Sequence, residues 1–179
     1  PTIVLVARML WDKGVGEFVQ AARKLHLNKV KARFILVGAP DNSNPASISE
    51  AQLKAWNDEG VVEWIGHQKN IPTVLSSSHI VCLPSYREGL PKSLLEGLAA
   101  GRPIVTTDVT GCREVVRNGE NGILVPSHNS SALADALLLL ITTPDLRLTY
   151  GARGRERAES EFDSKIVVSA TLCLYQSFN

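Results

Sequence analysis

The stretch Pro84-Ser85-Tyr86-Arg87-Glu88-Gly89-Leu90-Pro91-Lys92-Ser93-Leu94-Leu95-Glu96-Gly97-Leu98-Ala99-Ala100-Gly101-Arg102-Pro103 decides how this chain folds. Short apolar runs flank it, Ile80–Leu83 before and Ile104–Thr106 after. Inside it, Leu94, Leu95 and Leu98 form the apolar stripe of a helix expected over Pro91–Ala100. Pro91 can open that helix, because the N–H that proline lacks is not needed there. The unit reads strand, helix, strand. Strands of nearly continuous hydrophobicity suit a parallel sheet covered by helices on both faces.

The alternation continues outward. Further strands are expected at Ile3–Ala7, Arg33–Val37, Val61–Ile65 and Ile123–Val125. A helix over Val15–Leu27 would put Phe18, Ala21, Ala22 and Leu25 on one face. Ser49 can cap a helix over Glu50–Asp58, which Gly60 ends. Other helices are expected at Pro72–Ser77, Arg113–Arg117, Ser131–Ile141, Asp145–Phe162 and Ser164–Phe178. Asn118-Gly119 and Asn121-Gly122 read as tight turns, and Gly38 to Pro45 as a connecting loop. The fold class is α/β, a Rossmann-like doubly wound parallel sheet of about six strands with right-handed crossovers. Ligands of such sheets sit beyond the carboxyl ends of the strands, where strand order reverses.

Composition narrows the function. The 179 residues suffice for one well-packed domain, and 44% hydrophobic content is ordinary for a globular protein. A formal net charge of +1 provides no general field for nucleic acid or anionic lipid. Phosphate binding must then come from a few placed residues. No run approaches the roughly 20 apolar residues of a membrane span, and no leader pattern is visible. Cys82, Cys112 and Cys173 fit neither a disulfide framework nor a zinc site, which makes a reducing cytoplasm the simplest compartment. Thr2-Ile3-Val4-Leu5-Val6 reads as a core strand without a lead-in, so the sequence is expected to be a fragment of a longer chain.

Four segments follow strands and carry candidate chemistry. In the first, Arg8 and Lys13 straddle a turn into a helix, and Gly14 lets backbone approach closely. A guanidinium fork and a compact ammonium suit phosphate oxygens, although a solvated loop with two surface charges fits the same residues. The second is the opening stretch. The free amides of Leu90, Lys92 and Ser93, with the positive end of the helix, form an anion site. Glu88 precedes that helix and Glu96 lies more than a turn inside it, so the two are not expected to share a proton. Carboxylates accept hydrogen bonds from paired hydroxyls such as those of a sugar or ribose.

The third segment, Gly66 to Pro72, can offer backbone groups to a base, while His67 is read as a solvated loop residue. The fourth, Thr106 to Glu114, either lines the same crevice or simply leads into a capped helix; Cys112 within it is read as inert. The sequence contains no nucleophile elbow, no Walker loop and no Gly-x-Gly-x-x-Gly after a strand.

Taken in order, these segments resemble a family. Glu88 and Glu96 with seven residues between them, then Ala100-Gly101-Arg102-Pro103-Ile104-Val105, Gly111-Cys112-Arg113-Glu114 and Asn118-Gly119-Glu120-Asn121-Gly122 form a specific set. They resemble the C-terminal, donor-binding half of retaining glycosyltransferases of the GT-B fold, group 1 type. That family includes sucrose synthases and bacterial capsule and lipopolysaccharide enzymes. The resemblance covers nearly all of the chain. It departs in one small respect, Ala7 standing where the family often has glycine before the arginine.

The resemblance implies roles. Arg8 and Lys13 would bind the diphosphate of a nucleoside diphosphate sugar, a UDP-sugar above others. Glu88 would contact the transferred sugar, and the backbone of Leu90, Pro91, Lys92 and Ser93 would hold phosphate and sugar. Glu96 would bind the ribose, and the loop at Gln68 would meet the base. Arg8, Lys13 and Glu88 would carry catalysis, with no metal and no other cofactor. The acceptor, a saccharide or lipid-linked saccharide, would bind an N-terminal domain outside this sequence, and the fragment alone would be inactive. The full-length enzyme would be cytoplasmic, with peripheral contact at the inner membrane as a further option. A non-catalytic nucleotide-sugar-binding module, a GT-B epimerase and a plain α/β interaction domain remain alternatives.

Overall fold

The protein is described by a computed structural model covering residues 1–166 and 168. Six strands form one sheet in the order β3-β2-β1-β4-β5-β6, every neighbouring pair parallel. The strands are β1 (Thr2–Val6), β2 (Arg33–Val37), β3 (Glu63–Trp64), β4 (Ile80–Leu83), β5 (Ile104–Thr107) and β6 (Gly122–Val125). Between and after them lie α1 (Val15–Leu27), α2 (Glu50–Asp58), α3 (Ile71–Ser76), α4 (Lys92–Ala99), α5 (Thr110–Val115), α6 (Ser130–Thr142) and α7 (Pro144–Glu161). The chain winds outward from β1 to β3, then returns to set β4 beside β1. The α/β doubly wound class expected from the sequence is the one observed.

Alternation along the strands explains why both faces are covered. Ile3 and Leu5 of β1 enter one apolar cluster with Phe34, Leu36 and α1, α2 and α6. Val4 enters the other, with Val81, Leu83, Leu94 and Leu98 of β4 and α4. Successive residues of a strand point to opposite faces, so a strand apolar at every position needs cover on both. Phe18, Ala21, Ala22 and Leu25 are buried, on the face of α1 read from the sequence.

Several boundaries differ from expectation. β3 is reduced to Glu63–Trp64, in register with Ile35 and Leu36 of β2 at the edge of the sheet, although Ile65 and Gly66 still exchange backbone hydrogen bonds with Leu36 and Gly38. Pro91 is the N-cap of α4 rather than its first residue. α5 begins at Thr110, three residues before the expected Arg113, and ends at Val115. Gly111, read as part of the segment leading to that helix, is buried within it. The turn before β6 closes at Asn121, whose amide donates to Arg117 O at 3.3 Å, and Gly122 already belongs to the strand. The Asn121 side chain is buried, accepts from the Arg117 amide at 2.7 Å and donates to Val115 O at 3.0 Å. Ser49 does cap α2, accepting from the Gln52 amide at 3.2 Å. The expected helix Ser164–Phe178 lies largely outside the described residues.

At the end of the sheet where the strands begin, helices finish with unpaired carbonyls. Arginines meet them. Arg102 Nη2 donates to Ser76 O of α3 at 2.7 Å, and Arg155 Nη1 donates to Ala99 O of α4. Arg157 Nη1 and Nη2 reach Val115 O and Glu114 O of α5 at 2.7 and 2.8 Å. Arg147 Nη1 bridges Leu140 O and Ile141 O of α6 at 2.5 and 2.9 Å.

At the opposite end, the loop after β1 meets the loop after β4 through Gly14. Its φ is +69°, and a Cβ there would run into the Pro84 carbonyl. Both demands select glycine. Gly14→Ala should cost at least the roughly 1–3 kcal/mol typical of overpacking. Urea denaturation will measure this; an unchanged midpoint would contradict the contact.

Candidate functional site

The reversal of strand order falls between β1 and β4, and the sequence-derived candidates gather there. A cavity of about 260 Å³ is lined by Arg8, Lys13, Glu88, Pro91, Lys92, Ser93 and Glu96, with Val6, Ala7 and Leu83 as its apolar wall. Leu94 and Leu95 donate their amides to Pro91 O. The amides of Lys92 and Ser93, one step earlier in the first turn, have no such carbonyl and stay open at the helix's positive end. A second cavity of about 420 Å³ adjoins it, sharing Val6, Ala7 and Arg8. Gly38 to Asn42, His67, Gln68 and Ile71 complete its lining.

The side chains are paired in ways the sequence did not indicate. Lys13 Nζ donates to Glu88 Oε1 at 2.7 Å, so two residues read as serving phosphate and sugar separately touch each other. Ser85 Oγ donates to the same Oε1 at 2.7 Å, leaving Oε2 as the open acceptor of Glu88. Lys92 Nζ lies 3.5 Å from Glu96 Oε1, one helical turn away. The two acids therefore have separate cationic partners, consistent with their not sharing a proton. Arg8 Nη1 donates to Asp41 Oδ2 at 2.6 Å, in the second cavity. Gln68 Nε2 is turned onto its own loop, donating to Ile65 O at 2.7 Å. Leu90 lines neither cavity; just before the capping proline, it is 53% exposed.

The profile of the glycosyl transferases group 1 family matches residues 1–143. The chain belongs to the group 1 glycosyltransferases. It is 36% identical over 175 residues to the N,N'-diacetylbacillosaminyl-diphospho-undecaprenol alpha-1,3-N-acetylgalactosaminyltransferase of Campylobacter jejuni, covering 98% of this chain and 44% of that protein. Sucrose-phosphate synthase from Thermosynechococcus elongatus superposes with a TM-score of 0.87 at 25% identity, over 99% of this chain and 45% of that one. Anabaena HepE, solved in complex with UDP, superposes with a TM-score of 0.85 at 21% identity, over 99% and 49%. This group 1 chain thus spans about half the length of the proteins it matches. Among its described residues, no helix is long and apolar enough to cross a membrane.

The loop carrying Glu88 in this group 1 domain is held by four neighbouring segments. The Tyr86 amide donates to Asp12 O at 2.9 Å, and Tyr86 Oη donates to Glu17 Oε1 at 2.7 Å. Burial, then the Glu17 bond, raises the Tyr86 phenol above its ordinary range, so it stays a donor. The His128 ring, after β6, stacks on Tyr86 with centroids 3.7 Å apart. Thr107 Oγ1, at the end of β5, donates to Ser85 O. A Cβ at Gly111 would strike the carbonyls of Glu88 and Gly89, which explains glycine at the start of α5. Of the two readings of Thr106 to Glu114, the helix is present, and its segment braces the crevice without lining either cavity. Cys112 is fully buried and burial raises its thiol, in agreement with an inert residue.

Asp41 was missed; Ser85, Thr107 and Gly111 lie in candidate segments, but their bracing contacts were not read. Asp41 had one available signal: its loop, like the others, directly follows a strand. Thr107→Val keeps the side chain's shape but leaves the buried Ser85 carbonyl without a donor. The expected loss is about 1–3 kcal/mol. Thermal unfolding of this variant beside the wild type tests it, and an unchanged melting temperature would remove Thr107 from the support of the loop.

Proposed function

We propose that the full-length protein is a retaining glycosyltransferase, and that this chain binds its nucleoside diphosphate sugar. One observation carries the reading: in a group 1 domain, Arg8, Lys13, Glu88, Glu96 and the start of α4 converge on a single cavity where strand order reverses. In this reading the adjoining cavity, lined in part by Gln68, would take the base. A ribose near Glu96 and a diphosphate between Arg8, Lys13 and the α4 amides complete the donor.

In this reading the bond from the anomeric carbon to the diphosphate oxygen breaks, and its electron pair stays on that oxygen. Arg8, Lys13 and the helix N-terminus stabilise the growing negative charge without a metal ion. Glu88 is a poor free nucleophile, since Oε1 already accepts from Lys13 and Ser85. Its Oε2 is available to the sugar's hydroxyls. Leu90 contributes backbone at most. UDP is the first nucleotide to test, being the one solved with HepE. The diphospho-undecaprenol in the name of the Campylobacter jejuni relative supports a lipid-linked saccharide acceptor in surface polysaccharide assembly. That acceptor would bind the part of the protein outside this chain. A cytoplasmic location, with peripheral contact at the inner membrane through that other part, belongs to the same reading.

Calorimetry of UDP, GDP and ADP should single out one nucleotide, with EDTA making no difference. Arg8→Ala and Glu96→Ala should each weaken it by about 1.5–3 kcal/mol, the range for a hydrogen bond to a charged group. No heat for any of the three nucleotides removes the donor site. Binding undiminished in both variants puts it elsewhere.

A further inference from the structure

Each cation of the crevice is paired with an acid. Lys13 pairs with Glu88, and Lys92 with Glu96, all four within the smaller cavity. Arg8 differs. It lines both cavities, but its partner Asp41 stands only in the larger one. Asp41 therefore draws the guanidinium toward the nucleoside side of the crevice.

Asp41 is fixed without help from Arg8. Its Oδ1 accepts from Ser43 Oγ at 2.7 Å and from the Ser43 amide at 3.2 Å. Its own amide donates to Ser47 Oγ at 2.9 Å. The Ser43 hydroxyl first, and Arg8 second, hold its carboxyl below the usual carboxylate range. A fixed anion thus remains on the nucleoside side of Arg8 whatever Arg8 does. Arg8, by contrast, is bound to Asp41 through one nitrogen, and its side chain is 60% exposed. A single exposed contact orders a guanidinium weakly. Asp41 also repels a polyanion bound against Arg8, as a neutral residue there would not.

We propose that Asp41 competes with bound phosphate for Arg8 and lowers the affinity of the crevice for a nucleoside diphosphate. The inference rests on the donor-site reading above. Its consequence lies in the product. When the glycosidic bond breaks, the diphosphate keeps the bonding electron pair and gains an ionisable oxygen, while the acceptor hydroxyl gives up its proton and bonds the anomeric carbon. The product is more anionic than the donor, so the fixed carboxylate penalises it more. Asp41 is then a specificity residue that favours release of the spent nucleotide.

The test titrates UDP, or whichever of UDP, GDP and ADP binds, and the matching nucleoside into four proteins. These are the wild type, Asp41→Asn, Arg8→Gln and the double variant. Asp41→Asn should tighten the diphosphate roughly two- to fivefold relative to the nucleoside, the range of an exposed ion pair. The gain should shrink in the Arg8→Gln background. A wild type that binds no nucleotide overturns the donor-site reading and this inference with it. With a binding wild type, unchanged or weaker diphosphate affinity in Asp41→Asn overturns this inference alone. So does an equal gain in both backgrounds, since competition for Arg8 would then be absent.

Discussion

Parallel pairing of β1 with β4, through Ile3–Ile80 and Val4–Val81, is what the crevice depends on. It joins two halves of the sheet that the chain winds in opposite directions. The loops leaving these two strands consequently turn apart, and a gap opens between them. The charged candidates are placed by elements bordering that gap. Arg8 and Lys13 follow β1, Glu88 follows β4, and Glu96 sits one turn into α4. The site is thus a product of topology first and of side-chain chemistry second.

Rigidity comes from contacts behind the site. The Glu88 loop is fixed by Gly14 against Pro84, by Thr107 on Ser85 and by Gly111 under Glu88 and Gly89. Each uses the backbone of the loop, so each constrains position independently of which side chains the loop displays. A group 1 domain can then keep the same frame beneath a changed set of ligand-facing residues.

The fold was legible because its signals are local. Apolar runs, capping residues such as Ser49 and the Pro91 boundary lie within a few residues of what they determine. Convergence of Arg8, Lys13, Glu88 and Glu96 could also be read, since each follows a strand or opens a helix. The ion pairs could not. Arg8 and Asp41 are 33 positions apart, and Lys13 and Glu88 are 75 apart. Nothing in either segment names its partner. The need for Gly111 was hidden for a related reason: only the carbonyls of a distant loop explain it. Asn121 is the turn residue it was read as, but its side chain also satisfies two backbone groups, which nothing in its own segment announces.

The arginines that close α3, α4, α5 and α6 have a consequence for the molecule's response to acid and alkali. Guanidinium stays protonated across the whole range in which proteins work. The carbonyls it meets do not titrate at all. Four helix termini are therefore sealed by bonds that pH cannot switch off, and acid acts instead on arginine-paired carboxylates such as Asp41, Glu59, Glu63 and Asp108, each held below its ordinary range.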